Sequence, residues 1–479
     1  MSVSSPPSTP TLPSIEEESA ARSLPAGRLI GRLRQLGRSW QDLQNGKITE
    51  LPRSLNSLAL ILGRVAASGL GFLTWLIAAR LYATAEVGIA SGIVSAMMLC
   101  VQLGLLGVGA AIINLFPEYQ NQPSRLLDTA LGLVSSAALI MAGFFLLFAS
   151  ALFNELSVAG ASLTYILLFL ALTLFGTVNV LFDHVSIAVR RGDEVLTRNV
   201  FFGVITIAGM GLLSFLMADT SQTMILAWVL AGLGACSLGV FQLWRSALHY
   251  RAIPAFNRVI SAQLLQIGLP NYLLTLAERA PNWIMPIVVT ELLSPTDNAH
   301  WYAVWMMAWV VFIIPISVGQ NLFAEVSRHP DRQREAIRHS IRTSLMIGGV
   351  AALGVAIFAP WLLALLGSSY ADEGSTPLRI LVIGILPFIL VQAYYAVCRG
   401  TRRLSEATLN GVLTGLISIG AGAAAGMRYG LTGIAVAWLA VQILVSVWVA
   451  WRLYVLSNKA ANIGGTDRFI QGQLWQHKR

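Results

Sequence analysis

The chain has 479 residues, of which 56% are hydrophobic and only 11% are charged, and its formal net charge is +9. So few charged side chains cannot cover the surface of a soluble protein of this length. Apolar runs of 20 residues or more are, by contrast, long enough to cross a bilayer core of about 30 Å as helices. Composition therefore excludes a soluble globular protein and predicts an all-α polytopic membrane protein.

Residues 1–55 precede the first apolar run and form a predicted cytoplasmic tail. The first 26 are rich in serine and proline, a composition typical of disorder. In the next stretch, GRLIGRLRQLGRSWQDLQ, four leucines and Trp40 recur at spacings of three and four, which gives one apolar helical face beside several arginines. Such a basic amphipathic helix would lie on an anionic membrane surface. Three glycines lower its helix propensity and leave a linker as the alternative.

Twelve apolar runs follow, and each is predicted to be one membrane-spanning helix. They cover residues 56–80, 85–113, 126–150, 161–189, 195–217, 222–244, 261–292, 300–324, 341–366, 376–398, 405–427 and 431–453. Nearly all Lys and Arg residues fall on one side of this arrangement, and only Arg80 and Arg428 mark the other side. The positive-inside rule then predicts a multi-pass protein of the plasma (inner) membrane with both termini in the cytoplasm. The basic charge is thus explained by topology, and we expect no nucleic-acid partner.

A short internal repeat divides the twelve spans into two groups of six. NLFPE at 114–118 matches NLFAE at 321–325, and the Ala-Val and Arg-Gly pairs in 188–192 match those in 396–400 at nearly the same offset. Two lobes related by an axis along the membrane normal are typical of transporters that hold substrate near the midplane. The predicted divisions are a tail of residues 1–55, an N-lobe of residues 56–250, a C-lobe of residues 251–455 and a cytoplasmic tail of residues 456–479.

Two longer stretches resemble a known family. AARLYATAEVGIASGIVSAMM, followed by NLFPEY, resembles the first lobe of bacterial polysaccharide and O-antigen flippases, and HWYAVWMMAWVVFIIPISVGQNLFAEVSRH resembles the matching part of their second lobe. That family belongs to the multidrug/oligosaccharidyl-lipid/polysaccharide exporter superfamily. The resemblance covers about residues 55–455. It implies two six-helix lobes in a V around a central cavity, bent first and seventh helices, and a polyprenyl-diphosphate-linked oligosaccharide as cargo.

Two arginines inside predicted spans are candidates for binding the diphosphate of such a cargo. Arg64 lies in the first span and Arg279 near the middle of the seventh, so they occupy equivalent helices of the two lobes. A guanidinium stays protonated and binds phosphate oxygens in bidentate fashion, but it is costly in a bilayer unless its surroundings compensate. The alternative is an arginine satisfied by carbonyl or carboxylate groups within one lobe.

The residues around Arg279 predict an irregular helix. Glu278 and Arg279 are neighbours and point roughly 100° apart on a helix, so Glu278 is expected to face another helix. Pro281 removes a backbone donor and should bend the helix beside the pair, and Pro270 and Pro286 extend the irregular region. Bent helices would also allow the lobes to rock.

Further candidate substrate ligands are Asn271, Trp305, Trp309 and Tyr394. Aromatic faces can stack on sugar rings. Trp305 and Trp309 lie too deep in the eighth span for the aromatic belt at the membrane surface. Packing in the protein core is the alternative for both tryptophans.

Coupling to a proton or sodium gradient would need an ionisable group inside the membrane, and the candidates are Asp183, His184, Glu278 and Glu325. Asp183 is the first choice because of its depth in the fourth span. A structural hydrogen bond or inter-helix pair is the alternative for each. We expect no metal and no organic cofactor.

Three functions remain open from the sequence. A flippase for lipid-linked oligosaccharides is favoured, with membrane lipids and polysaccharide assembly proteins as expected partners. A multidrug cation antiporter of the same superfamily would prefer an acidic cavity, whereas Arg64 and Arg279 favour an anionic cargo. A membrane-embedded glycan polymerase or transferase would need catalytic residues on sizeable outer loops, and the outer connections here are short.

Overall fold

The computed structural model describes residues 53–246, 250 and 253–476, apart from the side chains of residues 53–58, 61, 64, 65, 150, 331 and 458–476. The predicted N-terminal tail up to residue 52, with its amphipathic segment, and the side chains of the C-terminal tail from residue 458 lie outside this description. The side chain of Arg64 lies outside it as well.

The first half of the chain forms eight helices. They are α1 (Arg53–Leu81), α2 (Thr84–Leu105), α3 (Val108–Leu115), α4 (Pro123–Leu152), α5 (Val158–Ala161), α6 (Leu163–Ala188), α7 (Gly192–Leu216) and α8 (Ser221–Arg245). Helices α2 and α3 share one apolar run and are separated by Leu106 and Gly107, whose φ angles are 50° and 77°. A glycine is required at this break because a Cβ at Gly107 would lie 2.5 Å from the carbonyl oxygen of Gly268.

The second half follows the same order. Its helices are α9 (Arg258–Leu292), α10 (Pro295–Arg328), α11 (Gln333–Ala364), α12 (Ser368–Ile383), α13 (Ile385–Gly400) and α14 (Leu404–Gln476), with a 3₁₀ turn at Pro330–Arg332 before α11. Helices α12 and α13 meet at an angle of 46° and form one bent span.

The long helix α14 is two spans joined by a sharp turn. Gly430 has φ 60° and ψ −150°, which are not helical angles. The stretches before and after Gly430 fold back on each other. A contact between them shows this: the Nε of Arg452 donates to the Oε1 of Glu406 at 2.6 Å. We call the stretch before Gly430 the first arm and the stretch after it the second arm.

The described residues contain the twelve predicted spans. Nine helices are long and apolar enough to cross a membrane, and the bent pair α12–α13 is a tenth span. The segment Leu404–Ser457 counts as two spans because of the turn at Gly430, and α1 contributes the shorter apolar stretch Ala66–Leu81. The prediction of an all-α polytopic protein with about twelve spans is confirmed.

The two halves are packed alike. Helix α1 lies against α7, where a Cβ at Gly203 would meet Leu70, and α9 lies against the first arm of α14, where a Cβ at Gly415 would meet Pro281. The turns that follow α6 and α13 also match in detail. Arg190 and Arg402 both have φ 58°, and the following amides donate to carbonyls five residues earlier at 2.8 Å.

These turns correct the register of the repeat in this part of the chain. Ala188 ends α6 and Gly400 ends α13, so equivalent residues are 212 positions apart. The sequence match of Ala-Val and Arg-Gly gives an offset of 208, which is one helical turn too short. A helix places residues four apart on nearly the same face, so a short motif match cannot distinguish the two registers.

One end of the helix bundle holds most of the described arginines, and we call it the arginine-rich end; Arg80 and Arg428 lie at the opposite end. At the opposite end, α9 binds the loop after α4. The carboxylate of Glu291 accepts hydrogen bonds from the backbone amides of Asn154 and Leu156, both at 2.7 Å. This contact joins the two lobes.

Three further contacts join the lobes at the same end. The Nδ2 of Asn298 donates to the carbonyl of Gly88 at 2.9 Å, and the Nη2 of Arg80 donates to the carbonyl of Leu365 at 2.7 Å. The rings of Trp75 and Tyr302 lie 4.6 Å apart. The lobes are therefore closed against each other at the end opposite the arginines.

Candidate functional site

A cavity lies inside the C-lobe. Its walls come from α9, α10, α13 and both arms of α14, so it belongs to one lobe and is not the space between the two. It brings together several of the sequence-predicted residues, namely Glu278, Arg279, Pro281, Trp305 and Trp309.

Glu278 and Arg279 both line this cavity and have different surroundings. The Oε2 of Glu278 accepts a hydrogen bond from the Nη2 of Arg399 on α13 at 2.9 Å, so the carboxylate is paired across two helices. Its Oε1 is buried without a hydrogen-bond partner among the described residues. Counted as ionised groups, Glu278, Arg279 and Arg399 leave one net positive charge at the cavity.

The tryptophans pack against one another and also line the cavity. The ring of Trp305 lies 6.0 Å from that of Trp301, 6.5 Å from that of Trp309 and 5.8 Å from that of Trp438 on the second arm of α14. Trp301 is fully buried, whereas Trp305 and Trp309 are partly exposed and contribute to the cavity wall. Core packing and ligand contact are thus compatible for these two residues.

Neutral polar groups complete the lining, and the sequence analysis did not single them out as ligands. Gln392 and Gln442 are buried inside apolar helices, and the Oγ of Ser418 is buried without a partner among the described residues. Asn282, one turn after Arg279, lines the same space. The sequence does contain a signal for these residues, because each is a carboxamide or hydroxyl side chain within an apolar span. Such a side chain needs a polar partner there.

Helix α9 continues through its three prolines from Arg258 to Leu292. Pro281 cannot donate to the carbonyl of Ala277, and the first arm of α14 covers this point. A Cβ at Gly415 would lie 3.1 Å from the Cγ of Pro281 and 3.6 Å from the carbonyl oxygen of Ala277. A glycine therefore lets the neighbouring helix approach the carbonyl that the proline leaves unpaired.

Two predicted ligands lie elsewhere. Asn271 is exposed on α9, two turns before Arg279, and does not line the cavity. Tyr394 is fully buried on α13, and its hydroxyl donates to the Oε1 of Glu406 at 3.0 Å. Its neighbour Tyr395 lines the cavity instead, because adjacent helical residues point in different directions.

The ion-coupling candidates are distributed over three places. Asp183 is paired with the buried Arg198 on α7, with its Oδ1 2.6 Å from the Nη2. The Nδ1 of His184 lies 2.8 Å from the carbonyl oxygen of Val180. Glu325 lines a second cavity at the arginine-rich end of the C-lobe. Of the four candidates, only Glu278 lines the cavity that contains Arg279.

Comparison with solved structures finds the same architecture in transporters. One structure, described as the inward-facing conformation of a multidrug resistance MATE family transporter of the MOP superfamily, is 15% identical, with 83% of this chain and 99% of that chain covered and a TM-score of 0.61. Another, described as the lipid II flippase MurJ in an inward closed conformation, is 14% identical, with 85% and 90% covered and a TM-score of 0.61.

A third neighbour is a MOP superfamily transporter from Pyrococcus furiosus, which its description distinguishes by a reversed polarity of the binding pocket. It is 15% identical, with 84% of this chain and 95% of that chain covered and a TM-score of 0.53. The chain has the MOP-superfamily fold. No protein-family model and no curated protein matches the sequence. At these identities the likeness concerns the fold, and the function has to be argued from the site.

Proposed function

We propose that the protein is a flippase that moves a polyprenyl-diphosphate-linked oligosaccharide from the inner to the outer leaflet, for cell-surface polysaccharide assembly. A fold shared with a lipid II flippase and with multidrug transporters supports a transporter rather than an enzyme. The proposal places the protein in the inner membrane with both termini in the cytoplasm. Membrane lipids and polysaccharide assembly proteins are its proposed partners.

The observation that carries the proposal is Arg279 in the wall of the C-lobe cavity. Because Arg399 neutralises Glu278, the cavity keeps a net positive charge inside the membrane region, which suits an anionic cargo. The neighbouring tryptophan faces, carboxamides and hydroxyls suit a sugar, which offers both apolar ring faces and hydroxyl groups. In the proposed mechanism, Arg279 binds the diphosphate while the adjoining sugar contacts Trp305 and Trp309.

Transport by alternating access requires the contacts at the end opposite the arginines to open. The contacts of Glu291, Asn298 and Arg80 hold the two lobes together at that end. In the proposed mechanism, the cargo enters between the lobes from the arginine-rich end, its diphosphate reaches Arg279 in the C-lobe, and it leaves between the lobes after these contacts separate. Arg64 remains a proposed second ligand on α1.

The test is transport of a fluorescent polyprenyl-diphosphate oligosaccharide in proteoliposomes. We expect Arg279→Gln to lower the flipping rate at least tenfold, because an uncompensated diphosphate in a cavity of low polarity costs more than about 1.4 kcal/mol. Arg279→Lys should retain part of the rate, since it keeps the charge but not the bidentate geometry. The matched control is Arg379→Gln, an exposed span arginine whose Nε donates to the carbonyl of Ala356. A wild-type rate in Arg279→Gln would contradict the proposed role.

A multidrug cation antiporter is the second candidate, because the carboxylate residue Glu278 lines the same cavity and its Oε1 is buried without a hydrogen-bond partner among the described residues. That function predicts that the protein exports cationic dyes and that Glu278→Gln abolishes the export. The flippase proposal predicts that neither the wild type nor the Glu278→Gln variant exports the dye. Dye export that depends on Glu278, without flipping of the lipid-linked sugar, would decide for the antiporter.

We also propose that a proton or sodium gradient drives the transport, with Asp183 as the first candidate for the coupling group. The carboxylate could exchange Arg198 for a cation when the lobe changes conformation. The measurement is the flipping rate of Asp183→Asn before and after the proton or the sodium gradient is collapsed. If the variant depends on the gradient as the wild type does, Asp183 is not the coupling residue.

A further inference from the structure

A groove lies on the surface of the C-lobe, on the face of α11 away from the second cavity. It runs between α11, α13 and the second arm of α14. Its floor is apolar and includes Ile337, Ile341, Leu390 and Leu453. None of the residues of the C-lobe cavity that contains Arg279 lines this groove.

Three exposed arginines line one side of the groove. Arg334, Arg338 and Arg342 recur every four residues and so form a strip along the first three turns of α11, about 12 Å long. Like charges at this spacing repel one another. Among the described residues, no ion pair involves any of the three. The strip therefore presents positive charge that no ion pair among the described residues neutralises.

The groove lies where the surface of α11 changes from charged to apolar. The last exposed arginine of α11 is Arg342, and after two residues the exposed Leu345, Met346 and Ile347 follow. On the opposite wall, Tyr454 is 61% exposed, and tyrosine is typical of the membrane–water boundary. A ligand in the groove thus has its anionic part beside the arginines and an apolar part in contact with the aliphatic floor.

We infer that this groove binds an anionic phospholipid of the leaflet at the arginine-rich end. The phosphate is held by the arginine strip, and an acyl chain lies along the floor toward Leu345. Basic pockets between membrane helices on the cytoplasmic side are suited to anionic headgroups, with a contribution of about fivefold in affinity for each arginine. The site is separate from the proposed cargo site, and the inference does not depend on the transported substrate.

The test is native mass spectrometry of the delipidated full-length protein titrated with phosphatidylglycerol or phosphatidylethanolamine. Three variants are compared with the wild type: the triple variant Arg334→Gln/Arg338→Gln/Arg342→Gln, the single variant Arg338→Gln, and Ala450→Trp, which fills the groove from its exposed wall and keeps every arginine. The matched control is Arg125→Gln/Arg245→Gln/Arg258→Gln, which removes three exposed arginines at the same end outside the groove.

We expect the wild type to prefer phosphatidylglycerol. The triple variant should lose about a hundredfold in affinity and the single variant about fivefold. Ala450→Trp should lose the tight binding although its charge is unchanged, and the control should stay within about twofold of the wild type. An equal loss in the control, unchanged binding in Arg338→Gln or in Ala450→Trp, or equal binding of both lipids would overturn the inference. Displacement of phosphatidylglycerol by a soluble short-chain polyprenyl diphosphate would assign the groove to the cargo and would also overturn it.

Discussion

At one pair of equivalent positions, the two lobes have different polar contacts between neighbouring helices. In the N-lobe, Asp183 on α6 forms an ion pair with Arg198 on α7 at 2.6 Å. In the C-lobe, 212 residues later, the hydroxyl of Tyr395 on α13 donates to the Oδ1 of Asn410 on α14 at 3.1 Å. One helix turn nearer the arginine-rich end the lobes agree again, because each has an Arg–Glu pair at 3.5 Å.

The difference shows how a duplicated fold separates structure from function. Both lobes need a polar contact between these two helices, and either an ion pair or a neutral pair supplies it. The N-lobe uses the ion pair, in which the guanidinium of Arg198 is buried. In the C-lobe Tyr395 also lines the cavity beside Arg279, where a neutral hydroxyl leaves the charge of the cavity to Arg279 and the Glu278–Arg399 pair.

The largest expected effect comes from breaking the ion pair of the N-lobe. Asp183→Asn leaves the buried Arg198 without its counter-charge, and we expect the free energy of unfolding in detergent micelles to fall by about 3 kcal/mol. The equivalent change in the C-lobe, Tyr395→Phe, removes one neutral hydrogen bond and should cost about 1 kcal/mol. The double variant Asp183→Leu/Arg198→Met should recover much of the loss. Equal losses in the two lobes would remove the distinction.

A second effect concerns the helix contacts that the lobes share. A Cβ at Gly203 would lie 2.7 Å from the Cβ of Leu70, and a Cβ at the equivalent Gly415 would lie 3.1 Å from the Cγ of Pro281. Gly203→Ala should therefore lower the free energy of unfolding by about 2 kcal/mol, and Gly415→Ala by less than about 1 kcal/mol. The reverse order in thermal or chemical unfolding would show that the close contact of α1 with α7 is not the tighter one.

The charge balance of the C-lobe cavity gives a third prediction, with two changes of opposite sign. Glu278→Gln removes the negative charge beside Arg279 and Arg399 and should raise the affinity for an anionic cargo about tenfold. Arg399→Gln leaves Glu278 beside Arg279 and should lower the affinity by a similar factor. Binding of a short-chain polyprenyl diphosphate by calorimetry measures both, with Arg328→Gln at the end of α10 as the control. Changes in the same direction would mean that these variants act through folding and not through charge.

The smallest expected effect is at the contact between the lobes. The two oxygens of Glu291 accept from the amides of Asn154 and Leu156 separately, so Glu291→Gln keeps an acceptor for only one of them and removes the charge, at a cost of about 1 kcal/mol. The population in which the lobes are separated at this end should rise about fivefold. Spin labels at Ala161 and Tyr429 would detect it by electron paramagnetic resonance, and Glu155→Gln in the same loop is the control. An unchanged distance distribution would exclude Glu291 as a closing contact.

The sequence by itself determined the helical class, the number of spans and the duplication, because each follows from hydropathy and from short-range patterns. It also singled out Glu278, Arg279, Trp305 and Trp309, since charge and indole groups are costly or conspicuous inside an apolar run. The register of the repeat was wrong by one turn after α6, because residues four apart on a helix share a face.

Only the tertiary structure decided which polar groups meet. The pairing of Glu278 with Arg399 joins residues 121 positions apart, and the cavity takes its lining from α9, α10, α13 and both arms of α14. In the tertiary structure Tyr395 faces the cavity, whereas its neighbour Tyr394 is buried in the core. The arginine strip of α11 likewise lies beside the second arm of α14 only because of the tertiary packing. The physical reason is that hydropathy fixes where a helix lies in the membrane. The rotation of each helix about its axis depends on packing against neighbours that are distant in sequence.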